Sequence, residues 1–230
     1  ESVALLAGSR AADVVFTSGG TESNNLALAG FAHIVTSAIE HDSVRALAGD
    51  TSAGDTSTGD ALTRQAGAET SIINVTSDGV IDLEHARAVL AGLPDDLRSS
   101  TILSVMAANN ETGVIQPVAE LVALARDNNI AVHSDMVQLL GKDHFSFAAL
   151  DLDYASLSAH KIGGPAGVGA LLVKPGNALQ SLLRGGGQEQ GRRSGTENFI
   201  GIAGFGAAAS AAFGDVAHYE AMSKWRDQFE

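Results

Sequence analysis

The chain has 230 residues, 45% of them hydrophobic, which is enough for one sizeable core or for one domain and the beginning of another. Its formal net charge of −13 argues against nucleic acid or an anionic membrane as the main partner. Cysteine is absent, which excludes a disulfide framework, a thiolate metal site and a cysteine nucleophile within these residues and fits the reducing environment of the cytoplasm.

The first eight residues show no initiating methionine and no basic segment ahead of their apolar residues, so we expect no signal peptide. Their pattern predicts part of a helix that begins before residue 1. We therefore interpret the chain as a fragment of a longer protein.

Seven short apolar or β-branched runs predict strands. They lie at 14–17, 33–36, 72–75, 101–106, 130–133, 154–158 and 169–173. Several are continuous rather than alternating, which is typical of strands buried on both faces of a parallel sheet.

Helical patterns lie between many of these strands, and the clearest is 117–128, with apolar residues at helical spacing behind Pro117. Further helices are predicted at 24–30 and 83–90. The weakly polar run 199–214 is shorter than the ~20 residues needed to cross a bilayer and contains several glycines, so we predict a packed helix. The alternation predicts an α/β fold with a mostly parallel seven-stranded sheet and helices on both faces.

Ligands bind at the carboxyl ends of the strands in such sheets, so the residues that follow each strand are the candidate site. After the first strand, a turn with Gly20 and Thr21 leads into a helix whose free N–H groups suit a phosphate-sized anion, although an ordinary capped turn explains it equally. His41 follows the second strand, where a histidine is more often a turn residue than a catalyst.

The other strand ends also carry polar side chains. Asn109 and Asn110 either cap a turn or donate to a ligand oxygen. Asp135 should be poorly solvated and needs a cation, which is either a protonated heterocyclic nitrogen or an arginine. Lys161 lies in a polar turn, where a lysine is usually a solvated surface charge.

Together these groups match the needs of pyridoxal phosphate. That cofactor requires an amine for its Schiff base, an acid partner for its pyridinium nitrogen and an anion site for its phosphate. It also needs a donor to its 3′-oxygen and a flat neighbour for its ring.

Six segments between about residues 14 and 205 carry a resemblance to a known family. They are FTSGGTESNNLA at 16–27, EH at 40–41, NNETG at 109–113, HSDMVQ at 133–138, SAHK at 158–161 and RSGT at 193–196. In order and spacing they resemble the cysteine desulfurases, which belong to the class V aminotransferase branch of the fold-type I pyridoxal-phosphate enzymes.

The resemblance implies a role for each matching residue. Lys161 would carry the cofactor, Asp135 would hold the pyridinium proton, and His41 would stack on the ring and take part in proton transfer. The residues implied as further cofactor ligands are Gly20, Thr21, Ser158 and His160 at the phosphate, Asn110 and Gln138 at the 3′-oxygen, and Thr196 at the phosphate of a second subunit. A homodimer with shared active sites follows from the last of these.

The family reaction converts L-cysteine to alanine and transfers the sulfur to an enzyme cysteine, which needs a thiolate nucleophile on a mobile loop. We expect that cysteine and the arginine that binds the substrate carboxylate beyond residue 230. Residues 1–214 would form the large domain, incomplete at its N-terminus, and 215–230 would begin a connecting helix toward an absent small domain. A sulfur-acceptor protein and iron–sulfur cluster assembly are further implications.

Two features depart from the usual pattern of the family. Met136 and Val137 stand beneath the ring, where the family usually has smaller residues. The polar segment 48–67 predicts a mobile surface loop longer than the family's usual helix.

Three other functions remain open. The same cofactor serves selenocysteine lyases, other β-eliminations and transaminations. A metal-dependent hydrolase would use His41, His133, His160 and Asp135, although the spacing of known zinc motifs is absent and we predict no metal. The chain taken alone could also be a non-catalytic binding fragment.

Overall fold

The computed structural model describes residues 1–48 and 68–228 of the chain. The segment predicted as a surface loop, 48–67, lies outside the described residues apart from Ala48, which is buried. The described residues form one twisted sheet with helices on both faces, which confirms the predicted α/β fold.

The part of the chain that the structure describes contains seven strands, all in one sheet. They are β1 Val14–Thr17, β2 His33–Ser37, β3 Glu69–Ile73, β4 Thr101–Met106, β5 Ala131–Asp135, β6 Tyr154–Ser158 and β7 Gly169–Val173. Their order across the sheet is β1-β7-β6-β5-β4-β2-β3. β7 is antiparallel to both of its neighbours, and the other pairs are parallel.

Three strands differ from their predicted bounds. β2 ends at Ser37, one residue later than predicted. β3 begins at Glu69 and ends before Val75, because it pairs with β2 from His33 opposite Glu69 to Ser37 opposite Ile73. It is the edge strand, so its first residues remain polar and partly exposed, and an apolar run does not mark them. β5 continues to Asp135 because that residue pairs with Met106 in the ladder with β4.

The described helices alternate with the strands. They are α1 Ser2–Leu6, α2 Gly20–Leu28, α3 Asp42–Arg45, α4 Leu83–Ala91, α5 Asp95–Arg98, α6 Val118–Asp127 and α7 Phe199–Arg226. α4 begins where predicted because the Asp82 carboxylate accepts the N–H groups of Glu84 and His85 at 3.0 Å each. α2 begins four residues earlier than predicted, directly after the glycine turn.

Successive strand residues face opposite layers of helices. Val14 and Leu103 pack into the larger core with α1, α4, α6 and α7, whereas Val15 and Ile102 pack into a smaller core with α2 and α3. The strands inside the sheet therefore bury both of their faces, which explains their continuous apolar runs in the sequence.

α7 is longer than the helix predicted for 199–214. Its Phe205 and Ala209 are fully buried in the larger core, as a packed helix requires. By length and composition alone, Phe199–Val216 could cross a membrane, with a hydropathy of 1.5, and 28% of this stretch is buried. Residues 215–226 of the predicted connecting helix form the end of α7, and a domain division there stays a prediction.

One glycine places the turn before α2 beside the end of β6. A Cβ atom on Gly169 would lie 2.6 Å from the backbone carbon of Gly19 and 2.7 Å from the carbonyl oxygen of Leu157. Only glycine permits this approach of β7. β2, β4, β5 and β6 are parallel to one another, so their carboxyl ends lie at the same edge of the sheet. The turn before α2 lies at this edge as well.

Candidate active site

An open cleft with a volume of about 200 Å³ lies at this edge of the sheet. It is lined by residues from the α2 N-terminus and from the segments that follow β2, β4, β5 and β6. The lining residues are Gly20, Thr21, Asn24, His41, Ser43, Met106, Ala108, Asn110, Asp135, Val137, Gln138, Ser158, His160 and Lys161.

Lys161 reaches the cleft from a short 3-10 turn, Ala159–Ile162, that follows β6. Gly163 ends this turn in the left-handed conformation, with φ of 79°. Ser158 is 1% exposed and lies 2.9 Å from Nδ1 of His160, so the hydroxyl and the imidazole are held together beside the amine.

Asp135 is 6% exposed at the end of β5. Its carboxylate accepts hydrogen bonds from Asn24 Nδ2 at 2.7 Å and from the Val137 backbone N–H at 2.9 Å. Burial raises the pKa of Asp135, while these hydrogen bonds and the charges of His41 and Lys161 act to lower the pKa. The arginine partner that the sequence left open is not found among the described residues.

His41 caps α3 and is tied to Asp135 through two other side chains. Its Nδ1 lies 2.8 Å from Ser43 Oγ and 3.1 Å from the Ser43 backbone nitrogen. Asn24 Nδ2 lies 2.8 Å from the same Oγ. The four residues therefore form one continuous chain of hydrogen bonds along the wall of the cleft.

The N-terminus of α2 lies where the sequence predicted an anion site. Among the described residues no side chain caps this helix end, so its first N–H groups remain available to a ligand. A Cβ atom on Gly20 would lie 2.9 Å from Cγ2 of Val137, so a larger residue here would displace a side chain of the cleft.

Arg193 connects the RSGT segment to the first turn of α2. Its guanidinium lies 2.8 Å from Oε1 of Glu22, and Oε2 of Glu22 accepts the Ser18 N–H at 2.7 Å. Burial acts to raise the pKa of Glu22, but these partners outweigh it and lower the pKa.

Three amide side chains follow β4 and β5, and their hydrogen bonding differs. Asn109 is used by its own turn, because its Oδ1 accepts the N–H groups of Glu111 and Thr112 at 2.9 Å each. Asn110 lines the cleft. Gln138 accepts from Lys142 Nζ at 3.1 Å through Oε1, which leaves its NH₂ group as a donor. Burial and the charge of Lys161 lower the pKa of Lys142.

Glu40 lies just beneath the cleft and is 3% exposed. Its Oε1 accepts from Ser37 Oγ at 2.7 Å and from the Met106 N–H at 3.0 Å, whereas Oε2 is buried without a partner among the described residues. Burial raises the pKa of Glu40 to about 8, although these two hydrogen bonds act to lower that pKa. A carboxyl group in this state holds a proton at neutral pH.

The structure brings most of the predicted site residues together. Gly20, Thr21, His41, Asn110, Asp135, Gln138, Ser158, His160 and Lys161 all line the cleft. Thr196 does not, because it lines a separate small cavity beside Phe16 and Arg193. Of the two residues expected beneath a ring, Val137 lines the cleft, but Met136 does not, since it is fully buried in the core.

Sequence reasoning missed several residues of the cleft. Asn24 lies in the segment 16–27, but the resemblance implies no role for it, and no local pattern marks Ser43, Met106 or Ala108. Asn24 and Ser43 are buried and polar, but only the packing of α2 against α3 shows what they contact.

The histidines offer little to a metal ion. Both ring nitrogens of His133 are engaged, with Ser104 Oγ and Ser156 Oγ at 2.9 Å each, and burial lowers the pKa of His133 to about 3. Within residues 1–48 and 68–228 no group of three or more His, Asp or Glu side chains is arranged to hold a metal.

The donor set of the cleft fits pyridoxal phosphate. A buried carboxyl without an ion-pair partner suits a pyridinium nitrogen, the uncapped start of α2 suits a phosphate, and Lys161 supplies an amine. Asn24 Oδ1 is also buried without a partner among the described residues, so the hydrogen bonding of the polar wall is incomplete.

Comparison with known proteins identifies relatives over the whole chain. The family profile described as Aminotransferase class-V matches residues 1–229. The cysteine desulfurase IscS of Dictyoglomus turgidum is 37% identical over 243 residues, which cover 100% of this chain and 56% of that protein. The cysteine desulfurase IscS of Anaeromyxobacter dehalogenans is 43% identical over 222 residues, 92% of this chain and 50% of that protein. The chain spans about half the length of these curated relatives.

Solved structures agree with the sequence relatives. A NifS-like protein from Rickettsia africae ESF-5 superposes with a TM-score of 0.83 at 33% identity, covering 99% of this chain and 62% of that one. DndA from Streptomyces lividans gives a TM-score of 0.76 at 34% identity, covering 95% of this chain and 60% of that one.

Proposed function

This chain belongs to the class-V aminotransferase family, and we propose that it is the cofactor-binding large domain of a pyridoxal-phosphate-dependent cysteine desulfurase. In this proposal, residues 1–214 form that domain and 215–230 begin the connection to a small C-terminal domain. Relatives named cysteine desulfurase support the reaction class.

One observation carries the proposal. An amine, a buried carboxyl and a helix N-terminus line the same cleft, although they come from distant parts of the chain. In the part of the chain that the structure describes, the carboxyl has no ion-pair partner and no side chain caps the helix. Each is common alone, but their combination matches the three fixed requirements of the cofactor.

When bound, pyridoxal phosphate supplies an electron sink that stabilises negative charge on an amino-acid substrate. Lys161 would anchor it through its amine. Asp135 would accept a hydrogen bond from the protonated ring nitrogen, and this charge partner would keep the buried carboxylate ionised despite the burial that raises the pKa of Asp135.

The other residues of the cleft would bind and orient the cofactor. Asn110 and the free NH₂ group of Gln138 would donate to the 3′-oxygen, and the imidazole of His41 would lie against the ring. The phosphate ligands would be Gly20, Thr21, Ser158 and His160. The N–H groups of α2 would stabilise the negative charge of that phosphate.

L-cysteine is the substrate that the relatives' names favour, with alanine and a protein-bound persulfide as products. The 230 residues contain no cysteine, so the reaction requires a thiolate from outside them, as does delivery of sulfur to an acceptor protein. Sulfur released in this way would serve iron–sulfur cluster assembly in the cytoplasm.

We place Thr196 in the active site of a second copy of the chain. Within one chain it faces a different cavity from Lys161. Nearby, Phe199 is 69% exposed and Ile200 is 89% exposed, which is an apolar surface that a homodimer would bury.

The test is borohydride reduction of the full-length protein purified with its cofactor, followed by peptide mass spectrometry. We expect the reduced cofactor on Lys161, with Lys142 and Lys174 unmodified as internal controls. A cofactor on either of those lysines, or on none, would contradict the proposal.

A further inference from the structure

Ser43 is 8% exposed and lies at the centre of the hydrogen-bond chain along the cleft. Its hydroxyl contacts Asn24 and His41, and its backbone N–H donates to His41 as well. We propose that Ser43 is a positioning residue that fixes the imidazole of His41 in the tautomer with its proton on Nε2.

Asp135 determines which groups donate and which accept along this chain of hydrogen bonds. An ionised carboxylate only accepts hydrogen bonds, so the amide of Asn24 must present its NH₂ group to Asp135 Oδ2, at 2.7 Å. The second hydrogen of that group points to Ser43 Oγ, at 2.8 Å. Ser43 Oγ therefore accepts from Asn24.

The Ser43 hydroxyl has one proton of its own. Since its oxygen accepts from Asn24, the proton is free to be donated to Nδ1 of His41, at 2.8 Å. Asp135, Asn24 and Ser43 thus set the role of the imidazole nitrogen at the end of the chain.

A second contact leads to the same tautomer independently. The backbone N–H of Ser43 can only donate, and it lies 3.1 Å from Nδ1 of His41. Nδ1 therefore carries the lone pair even when the hydroxyl turns away. The ring proton is on Nε2, which has no hydrogen-bond partner among the described residues.

This assignment changes what His41 presents to the cleft. Nε2–H is a hydrogen-bond donor and has no lone pair with which to take up a proton. In the reaction proposed above, on which this step rests, His41 would first act as a fixed donor. It would take up a proton at Nε2 only after the ring proton had moved to Nδ1, against the Ser43 N–H.

The test is ¹⁵N NMR of the full-length protein labelled at histidine and freed of cofactor, at a pH where the imidazole is neutral. His41→Gln identifies the two signals of interest. We expect a protonated Nε2 and an unprotonated Nδ1 in the unmodified protein. Ser43→Ala should lower the ratio of this tautomer to the other by roughly fivefold, since it removes one of two hydrogen bonds.

Two further variants make the test specific. Ser43→Thr keeps both donors and should restore the ratio. Ser146→Ala is the matched control, because it removes a half-buried hydroxyl that bonds the Gly8 carbonyl away from the cleft. A proton on Nδ1 in the unmodified protein, or an equal ratio in Ser43→Ala and Ser146→Ala, would overturn the proposal.

The tautomer and the proposed function fail separately. The NMR signals are measured without cofactor, whereas borohydride trapping on Lys161 needs the loaded protein. If Ser43→Ala does not fold, the spectrum of the unmodified protein still decides the position of the proton.

Discussion

His133 and Asp135 lie two residues apart on β5, and their surroundings differ in kind. Both ring nitrogens of His133 are bound by serine hydroxyls from the neighbouring strands β4 and β6. Asp135 is nearly as buried and opens onto the cleft, but within residues 1–48 and 68–228 it has two N–H donors and no ion-pair partner. A polar group whose partners are complete serves the fold, whereas one whose partners are incomplete marks the place of a ligand.

Removal of the Asp135 carboxyl should have the largest effect on activity. Asp135→Ala in the full-length protein should lower kcat/KM by roughly 10²-fold to 10³-fold, because the charge partner of the ring nitrogen is lost. The free energy of unfolding without cofactor should change little, since a poorly solvated charge is also removed. Steady-state kinetics and urea unfolding measure the two quantities.

Asp42→Ala is the matched control, because Asp42 is an exposed carboxylate close in sequence to His41. It should leave kcat/KM nearly unchanged. Equal losses in the two variants would remove Asp135 from its assigned role.

At His133 we expect a loss of stability and little change in cofactor binding. His133→Ala should lower the free energy of unfolding by about 2–4 kcal/mol, because it leaves a cavity and two buried hydroxyls without their partner. The folded fraction should retain its cofactor absorbance. The exposed His144 provides the control variant, and urea unfolding gives the comparison. A His133 variant that is stable but cannot bind cofactor would reverse the distinction between the two residues.

The pH dependence of stability should separate a second pair of buried groups. The pKa of His133 is lowered to about 3, so its contribution is complete above pH ~6.5 and is lost as the pH falls toward 3. The pKa of Glu40 is raised to about 8, so its contribution is complete below pH ~4.5 and is lost as the pH rises through 8. Each slope is about 1 kcal/mol per pH unit.

Glu40→Gln should therefore flatten the loss of stability between pH 6.5 and 8 and leave the slope below pH ~4.5 unchanged, because the amide cannot ionise and Glu40 is protonated in both states at that acidity. Urea unfolding at several pH values measures both sides. An unchanged slope above pH 6.5 would mean that Glu40 does not hold its proton in the folded protein.

The smallest effect is expected at the anion site. Gly20→Ala places a methyl group 2.9 Å from Cγ2 of Val137, which should move that side chain into the cleft and weaken cofactor binding roughly three- to tenfold. Val137→Ala in the same chain should restore binding, because it removes the contacted methyl groups. A double-mutant cycle of cofactor affinity measures the coupling, and strictly additive losses would argue against this contact.

The difference between complete and incomplete hydrogen bonding also explains how much of the structure the sequence could predict. Apolar runs followed by polar residues located β1, β4, β6 and β7 at their observed bounds, and with them Lys161 and Asn110 at the strand ends. The edge strand β3 was misplaced because Glu69, Thr70 and Ser71 gain their partners from β2 and not from burial.

Contacts between distant residues could not be predicted from local patterns. Asn24 is 19 residues from Ser43 and 111 from Asp135, and only the fold brings the three together. The serines around His133 likewise come from two other strands, so nothing near His133 in the sequence distinguishes it from a candidate ligand. Completeness of hydrogen bonding is a property of the tertiary structure.

The most direct test is a crystal structure of the full-length protein grown with pyridoxal phosphate. We predict density joined to Nζ of Lys161, a ring nitrogen beside Asp135 and a phosphate at the N-terminus of α2, with His133 still held between Ser104 and Ser156. A cofactor joined to Lys142, or a cleft whose Asp135 takes an arginine as its partner and leaves the cofactor outside, would contradict this interpretation.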